Sequence, residues 1–576
     1  MNQSFFSFIL LATIMTVPPL LHGDTHTNKV PTQTKTSTKN EPKLTVVIVI
    51  DQFAYHYFTN LSKNFKYGFK FLMDKGINYT DAHHPHGTPA TATGHTALNT
   101  GTLAKDHGVI CNDWVEGDNT KAGVLDFAPD AASFCNELLC PYGASAKAIM
   151  VDGLSDQVTM QSSPAKPSKV YSLSYKPRAA IGMSGKLGKP VWFDNATLNF
   201  TSSKAFFPEL PEWIIKFNKQ HDLTKIKNIR WPLFHHPNNN AYRFSTIHNY
   251  KFSSFKQQLA NTLLPMEFIR KLPMKKLQGK YKDAEEKLLF TKLPTANQLL
   301  FDLARSCINH NLTRTGPDKL LLWISLSSLD MLGHVYGPDS LEIIDMIYHL
   351  DKQLMDFIYF AHKKAGKRKT LFVLTADHGI APIPEVVAGK GMSLAKRIMV
   401  KPLKEEMNTA IEQEFGIANF VQHFKTNQFY VDKVQLAAQE EATQKQIMNR
   451  LKEIIAAKPG IKSVWTFDEL KNTTFGSGHL ENYFKYQLYE GRSGDLICMP
   501  APYSILTKHE AGTSHRSPYD YDTHVPLIIY QDKVLEPKKI SCPVWIPQVP
   551  VTLAKILGVP RPSASTFDLL PGINKR

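Results

Sequence analysis

Three runs of β-branched and aliphatic residues, each leading to an aspartate, constrain this chain more than any other feature. Leu44-Thr-Val-Val-Ile-Val-Ile50 runs into Asp51, Lys319-Leu-Leu-Leu-Trp-Ile-Ser-Leu-Ser-Ser delivers Asp330, and Arg368-Lys-Thr-Leu-Phe-Val-Leu-Thr-Ala376 ends in Asp377. None alternates apolar with polar residues, so each reads as a strand covered on both faces, as in the central parallel sheet of an α/β protein. Ligands of open sheets of this kind sit outside the carboxyl ends of the strands. Acidic residues there are placed to hold a cation, although Asp51 taken alone suits a helix cap equally well.

Histidines accompany these aspartates. His378 follows Asp377 directly, and His334 follows Asp330 by four residues, which puts the pair on one face if the segment is helical. Gly333 points instead to a loop entering a helix. A late polar loop, Gly512-Thr-Ser-His515 to His524, adds a further imidazole before one more strand. Carboxylates mixed with imidazoles suit zinc ahead of manganese or iron, and six ligands are enough for two ions. Two ions held about 3.5 to 4 Å apart can bind both the attacking and the leaving oxygen of an in-line displacement.

A hydroxyl is available to use such a centre. In His86-Gly-Thr-Pro-Ala-Thr91-Ala-Thr-Gly-His95, Thr91 stands among small residues at the entry to an expected helix. A threonine hydroxyl is a weak nucleophile until a base or metal activates it, so Thr91 alone reads equally as a cap or turn residue. Asn112 closes a loop and is either a turn residue or a donor to a phosphoryl oxygen. Lys176 and Arg178 follow a strand; if the segment stays extended they share one face and converge on an anion, and otherwise they are surface cations.

The net charge of +16 has no dominant Lys/Arg run. It reads as a basic surface that also gathers anions such as phosphate esters, with no motif for nucleic acid or a membrane face. Residues 1–23 read as a signal peptide for a periplasmic or secreted protein, with an uncleaved anchor as the alternative, and 24–42, rich in Thr, Lys, Asn and Pro, as a disordered tether. No later stretch is long and apolar enough to cross a bilayer. Residues 43–566 then form the catalytic domain, with insertions at about 205–290 and about 390–490, the second a cap over the sheet. The six cysteines fit an exported protein with one or two disulfides, and Cys135 and Cys140 are near enough in sequence to pair.

Taken in order, Asp51, Thr91 three residues before Gly94-His95, Asn112, Lys176-Pro-Arg178, Asp330-x-x-Gly-His334, Ala-Asp377-His378-Gly, Gly-Arg-Ser-Gly-Asp495 and Gly-Thr-Ser-His515 resemble the alkaline phosphatase superfamily. Within it they resemble the bacterial periplasmic phosphatases and related phosphodiesterases that use threonine. The resemblance covers nearly the whole chain after the tether. It implies a doubly wound, mostly parallel α/β sheet with two Zn2+, one held by Asp330, His334 and His515, the other by Asp51, Asp377 and His378 with Thr91. It also implies a phosphothreonine intermediate whose non-bridging oxygens are stabilised by Asn112, Lys176 and Arg178, acting on small-molecule phosphate esters. His515 is preferred to His524 because the family's ligand usually stands in a Gly-x-x-His-Gly loop, from which this chain departs at Arg516. The ligand set is shared by monoesterases and diesterases; the Lys176-x-Arg178 pair favours the dianionic monoester. A sulfatase is disfavoured, since the Cys/Ser-x-Pro-x-Arg motif is missing around Thr91, and so is a non-catalytic scaffold, since every position is filled.

Overall fold

The computed structural model describes residues 40–117, 144–223, 231–236, 238–245, 289–313 and 318–573, and the backbone of parts of 119–143. The proposed signal peptide, most of the tether, the Cys135–Cys140 pairing and residues 246–288 of the first insertion lie outside the described residues.

A ten-stranded mixed sheet organises the chain. Its strands are β1 (Leu44–Ile50), β2 (Ile77–His83), β3 (Lys169–Ser174), β4 (Lys189–Asp194), β5 (Asn199–Thr201), β6 (Leu320–Leu326), β7 (Thr370–Thr375), β8 (His524–Gln531), β9 (Lys538–Ile540) and β10 (Val544–Trp545). They lie in the order β5-β4-β3-β6-β1-β7-β8-β2-β9, with β10 also against β2. Only β5 and β8 run antiparallel to their neighbours. The three runs ending toward aspartates are β1, β6 and β7, adjacent at the centre, and every residue of each is buried. Burial on both faces is what their unbroken apolar sequences demand.

Helices cover the sheet. The ones that matter for the site are α1 (Thr91–Thr100), α2 (Pro177–Ser184), α3 (Pro294–Asn311), α4 (Ser328–Tyr336) and α5 (Leu341–Ala365). Apolar residues at helical spacing on α5 face the core, and the Ser340 hydroxyl accepts from Ile343 N at its start. Two acids on α5 point inward and tie down irregular chain. Asp351 accepts backbone N–H groups from Lys66, Tyr67 and Phe69 at 2.7–3.0 Å. Asp345 accepts from Trp231 Nε1 at 2.6 Å, from Phe234 N at 2.8 Å and from the Tyr242 hydroxyl, anchoring the described part of the first insertion.

A second, smaller core is built from residues between Ile398 and Leu506, where the second insertion is expected. Strands Val421–Lys425, Gln428–Val431, Leu496–Pro500 and Ile461–Thr466 form an antiparallel sheet backed by helices Val400–Phe415 and Glu441–Ala456. Met407, Ile411, Phe420, Phe429, Leu451 and Ile455 fill the space between. Its strand Leu496–Pro500 carries the unit past residue 490. The expected disulfides are not found among the described cysteines: Cys111, Cys307, Cys498 and Cys542 are all unpaired, the first three buried. A thiol that deep behaves as a small apolar side chain rather than a cross-link.

Candidate active site

Because β1, β3, β6 and β7 run parallel, their carboxyl ends share one edge, and residues that follow them meet there. Asp51 follows β1, Lys176 follows β3, Asp330 lies in the first turns of α4 after β6, and Asp377 with His378 follows β7. The antiparallel β8 begins at the same edge, which brings in the loop bearing His515.

Two candidate ligand groups result. Asp330, His334 and His515 form one, and Asp51, Asp377 and His378 the other, the ligand atoms of each lying within 4.8 Å of one another. In the first, His334 Nε2 and His515 Nε2 stand 3.1 and 3.5 Å from Asp330 Oδ1. In the second, His378 Nε2 stands 3.5 Å from Asp51 Oδ1 and 3.2 Å from Asp377 Oδ2. Asp330 and His334 do lie on one helical face, with Gly333 inside α4 rather than in a loop. A Cβ at Gly333 would fall 1.9 Å from Gln52 Oε1, which is why a glycine is found there.

The donors fit a pair of divalent ions. Asp51 Oδ1, Asp377 Oδ2 and His378 Nε2 are buried, aimed at one another, and have no hydrogen-bond partner. Buried polar atoms are seldom left so unless something binds them. All three imidazoles are oriented in the same way. Nδ1 of His334, His378 and His515 faces the carbonyl of Thr513, Gly379 and Pro89 at 2.9, 2.9 and 3.0 Å. A carbonyl only accepts, so Nδ1 carries the proton and Nε2 keeps its lone pair toward the site, the usual support for a metal-binding histidine. Burial pushes the His378 pKa down to about 3 and lowers that of His515, which keeps both rings neutral.

The carboxylates are not electrically equivalent. Burial, then repulsion from Asp330 and Asp377, raises the Asp51 pKa well above its ordinary value. Burial acts on Asp330 in the same direction, yet His334 and Lys176 hold it well below. Asp377, also buried, is held low by His378 and His95. Two of the three buried carboxylates thus bond one ammonium: Lys176 Nζ is 2.6 Å from Asp51 Oδ2, also bonds Asp330 Oδ2, and lies 3.4 Å from Thr91 Oγ1. Such an excess of negative charge in a desolvated pocket calls for cations.

Thr91 opens α1 and is almost completely buried. Ala90, at the cap position, has no side chain to bond the first turn, so the helix's amino end, with its partial positive charge, is directed at whatever Thr91 meets. Asn112 braces this turn: its Oδ1 accepts from Ala92 N at 2.9 Å, so the amide group left to donate is Nδ2. Lys176 reaches the site, with Arg178 near enough to act on it as a like charge, but not by extended alternation. A helix begins at Pro177, with Lys176 at its cap and Arg178 in its first turn. Proline at the first helical position, with its fixed φ and no N–H to lose, starts α2 there. Packing of α2 on α1 fixes this start beside the turn that carries Thr91; a Cβ on Gly182 of α2 would lie only 3.1 Å from Thr96 N.

Two residues of the site were not anticipated from the sequence. Gln52 bridges the two ligand groups, its Nε2 donating to Asp330 Oδ1 at 2.7 Å and its backbone N to Asp377 Oδ1 at 3.1 Å. It does so with φ at +70°, a left-handed conformation rare outside glycine and typical of over-determined functional sites. His95, one turn after Thr91, contacts Thr91 O at 2.8 Å, Asp377 Oδ2 at 3.3 Å and Ser325 Oγ at 2.9 Å. Its place in a Gly-His pair after Thr91 was the only signal for it. Conversely, the Gly-Arg-Ser-Gly-Asp495 segment serves the scaffold. The Arg492 guanidinium donates to Gly108 O and Ala148 O at 2.7 and 2.9 Å and lies over Trp114 and Tyr489, while Asp495 Oδ2 accepts from Val431 N.

His524 joins neither group. It opposes His83 across the β2–β8 pairing, stacks on it at 4.6 Å and on Tyr55 at 4.2 Å, and directs Nε2 to Thr80 O at 3.0 Å. With Asp81 these two histidines make a separate half-buried cluster.

The type I phosphodiesterase / nucleotide pyrophosphatase family matches residues 45–525 of this chain. Alkaline phosphatase PafA of Elizabethkingia meningoseptica is 28% identical over 550 residues, covering 92% of this chain and 94% of that protein. Alkaline phosphatase PhoV of Synechococcus elongatus is 27% identical over 549 residues, covering 93% of each. The crystal structure of wild-type PafA aligns with 92% of this chain and 99% of its own at a TM-score of 0.79 and 24% identity, so the two share an alkaline phosphatase-like α/β fold.

Proposed function

This chain belongs to the type I phosphodiesterase / nucleotide pyrophosphatase family of the alkaline phosphatase superfamily, a family of hydrolases, and from that footing we propose that it hydrolyses phosphate monoesters through a phosphothreonine at Thr91. The observation that carries the reading is the setting of one hydroxyl. Thr91 Oγ1 lies at a helix amino end, 3.4 Å from Lys176 Nζ, with two three-residue ligand groups at the same sheet edge. Asp330, His334 and His515 would hold one zinc ion and Asp51, Asp377 and His378 the other, with Thr91 as a further ligand. When bound, the two ions supply Lewis acidity at the entering and leaving positions of an in-line displacement.

The chain's own groups do the rest. The Thr91 hydroxyl loses its proton to solvent and attacks phosphorus in line with the ester oxygen; the P–O bond to that oxygen breaks, the alcohol leaves after taking a proton from solvent, and the phosphoryl group passes to threonine. Water on the opposite face later releases inorganic phosphate and restores the hydroxyl. Lys176, Arg178 and the Asn112 Nδ2 bind the non-bridging oxygens, where charge is spread in the transition state and fixed donors are most effective. Gln52 and His95 position the carboxylates and the start of α1 without touching substrate. The names of PafA and PhoV, both alkaline phosphatases, support the phosphatase reading.

Phosphodiester cleavage is the second reading, favoured by the family to which the chain belongs. A monoester dianion rewards two cations beside the nucleophile, whereas a diester carries one charge fewer and needs room for its second substituent. The comparison that decides is kcat/KM on p-nitrophenyl phosphate against bis-p-nitrophenyl phosphate. Preference for the monoester is expected; preference for the diester would overturn the choice. The N-terminal apolar run supports export as the setting, and among the described residues no helix is long and apolar enough to cross a membrane.

A further inference from the structure

A cavity of about 570 Å³ opens beside His334, between the ligand groups and the smaller sheet. Its wall includes Arg516, Lys508, Lys425 and Arg397, with Asp113 as its acid, and it continues into a second cavity of about 530 Å³ past Lys404 and Lys401. Not all of these cations are available to a ligand. Arg397 is spent on the Glu385 carboxylate at 2.7 and 2.8 Å and on Gly512 O. Lys425 bonds Asp113. Arg516 and Lys508 differ: among the described residues neither side chain has a hydrogen bond or ion pair.

Arg516 is the more informative of the two. It follows His515 directly, at the position where the sequence departs from the Gly-x-x-His-Gly pattern. Its backbone is fixed, the carbonyl accepting from Asn427 Nδ2 at 2.7 Å, with Ser517 next to it bound to Asp522 through N and Oγ at 2.9 and 2.6 Å. The guanidinium is half-buried in the same wall as Asp113, which attracts it without bonding it, while Arg178 acts on it as a like charge. Arg178 Nε is itself buried without a partner. Asp113 is already bonded by Lys425, and a guanidinium without a hydrogen bond in a partly desolvated wall is costly unless a further anion completes it. Arg516 lines this cavity, whereas Lys176 and Arg178 do not.

We infer that the cavity beside His334 receives the leaving group of the ester and that Arg516, with Lys508 farther out, binds a second anionic group on it. The favoured substrates are phosphate monoesters whose alcohol portion itself carries a carboxylate or a phosphate. The inference rests on the phosphatase reading above and adds the half of the substrate that the ligand groups leave undefined. The lysines beyond, Lys404 and Lys401, extend the same field outward and favour longer polyanions over compact ones.

The test compares phenyl phosphate, 4-carboxyphenyl phosphate and 4-(phosphonomethyl)phenyl phosphate on the zinc-loaded full chain, each as wild type, R516Q and K508Q. One charge-assisted contact favours the anionic substrates by on the order of tenfold in kcat/KM over phenyl phosphate. In R516Q that ratio falls to near unity, and in K508Q it falls in part, most for the longer phosphonate. Added salt lowers the wild-type ratio. A wild-type ratio at or below unity, or a ratio unchanged in both variants, overturns the inference. K508Q alters an exposed side chain and keeps the test decisive should R516Q fold poorly. Failure to turn over phenyl phosphate at all counts against the proposed function instead, so the two failures are distinct.

Discussion

Gly94→Ala sets two ordinary effects against each other. In a solvent-facing helix the change would add about 1 kcal/mol of stability, because alanine loses less backbone entropy than glycine. Gly94 lies in the first turns of α1, and a Cβ there would stand 2.2 Å from the Asp377 carbonyl oxygen and 3.0 Å from Asp377 Cβ. Carbon and carbonyl oxygen settle at about 3.3 Å, so α1 and the end of β7 must part by about 1 Å. Neither side gives easily, since β7 is fully buried and Asp377 is bonded to Gln52 N and contacts His95. Overpacking of this kind costs about 1–3 kcal/mol, which outweighs the gain in propensity. Thr91 moves with α1 relative to Asp377 and His378, and a misplacement of about 1 Å lowers turnover by about a hundredfold. Steady-state kinetics on p-nitrophenyl phosphate, paired with thermal melts and zinc content, read all three effects. A variant with wild-type turnover and an equal or higher melting temperature would refute the reasoning.

Other outcomes follow from the same geometry. Thr91→Ala abolishes turnover of p-nitrophenyl phosphate while leaving the melting curve close to wild type, and unchanged activity would remove Thr91 from the mechanism. Chelation stops turnover and added zinc restores it, whereas His515→Ala lowers bound zinc in elemental analysis and His524→Ala does not. Asp345→Ala strands the Trp231 and Tyr242 donors that it now accepts from and lowers stability by about 3 kcal/mol in denaturant melts, with kcat little changed. Burial pushes the His107 pKa down to about 3; an unfolded histidine titrates near about 6.5. Between those values the unfolded chain binds a proton that the folded one refuses, so this contribution is intact above about pH 6.5 and is lost as pH falls toward 3. His107→Gln therefore flattens the acid limb of stability against pH, and an unaltered slope would show that the buried ring is not its source.

The centre of the fold was legible because three adjacent strands are buried on both faces, and such strands cannot hide their pattern. Their carboxyl ends carried the candidate ligands Asp51, Asp330 and Asp377 with them, since a parallel sheet puts those ends on one edge. The cations were legible as residues but not as geometry: Pro177 starts a helix where extended alternation was expected. Gln52 was not legible, because its role depends on a left-handed backbone and on the missing side chain of Gly333, and neither follows from local sequence. The two histidines of the late loop could not be separated by spacing alone. Register across β2 and β8 separates them, pairing His524 with His83 and leaving His515 to face Asp330. The meaning of Arg516 also depended on the tertiary fold, since only the docking of the smaller sheet makes a cavity for its side chain.

The central claim, a covalent phosphothreonine at Thr91, is tested most directly by the stereochemical course at phosphorus, using a thiophosphate monoester made chiral by oxygen isotopes and hydrolysed in water of the third isotope, so that the released thiophosphate is itself chiral. Two successive in-line displacements, first by Thr91 and then by water, predict net retention of configuration. Net inversion would mean that water attacks the ester in a single step, and would contradict a nucleophilic role for Thr91.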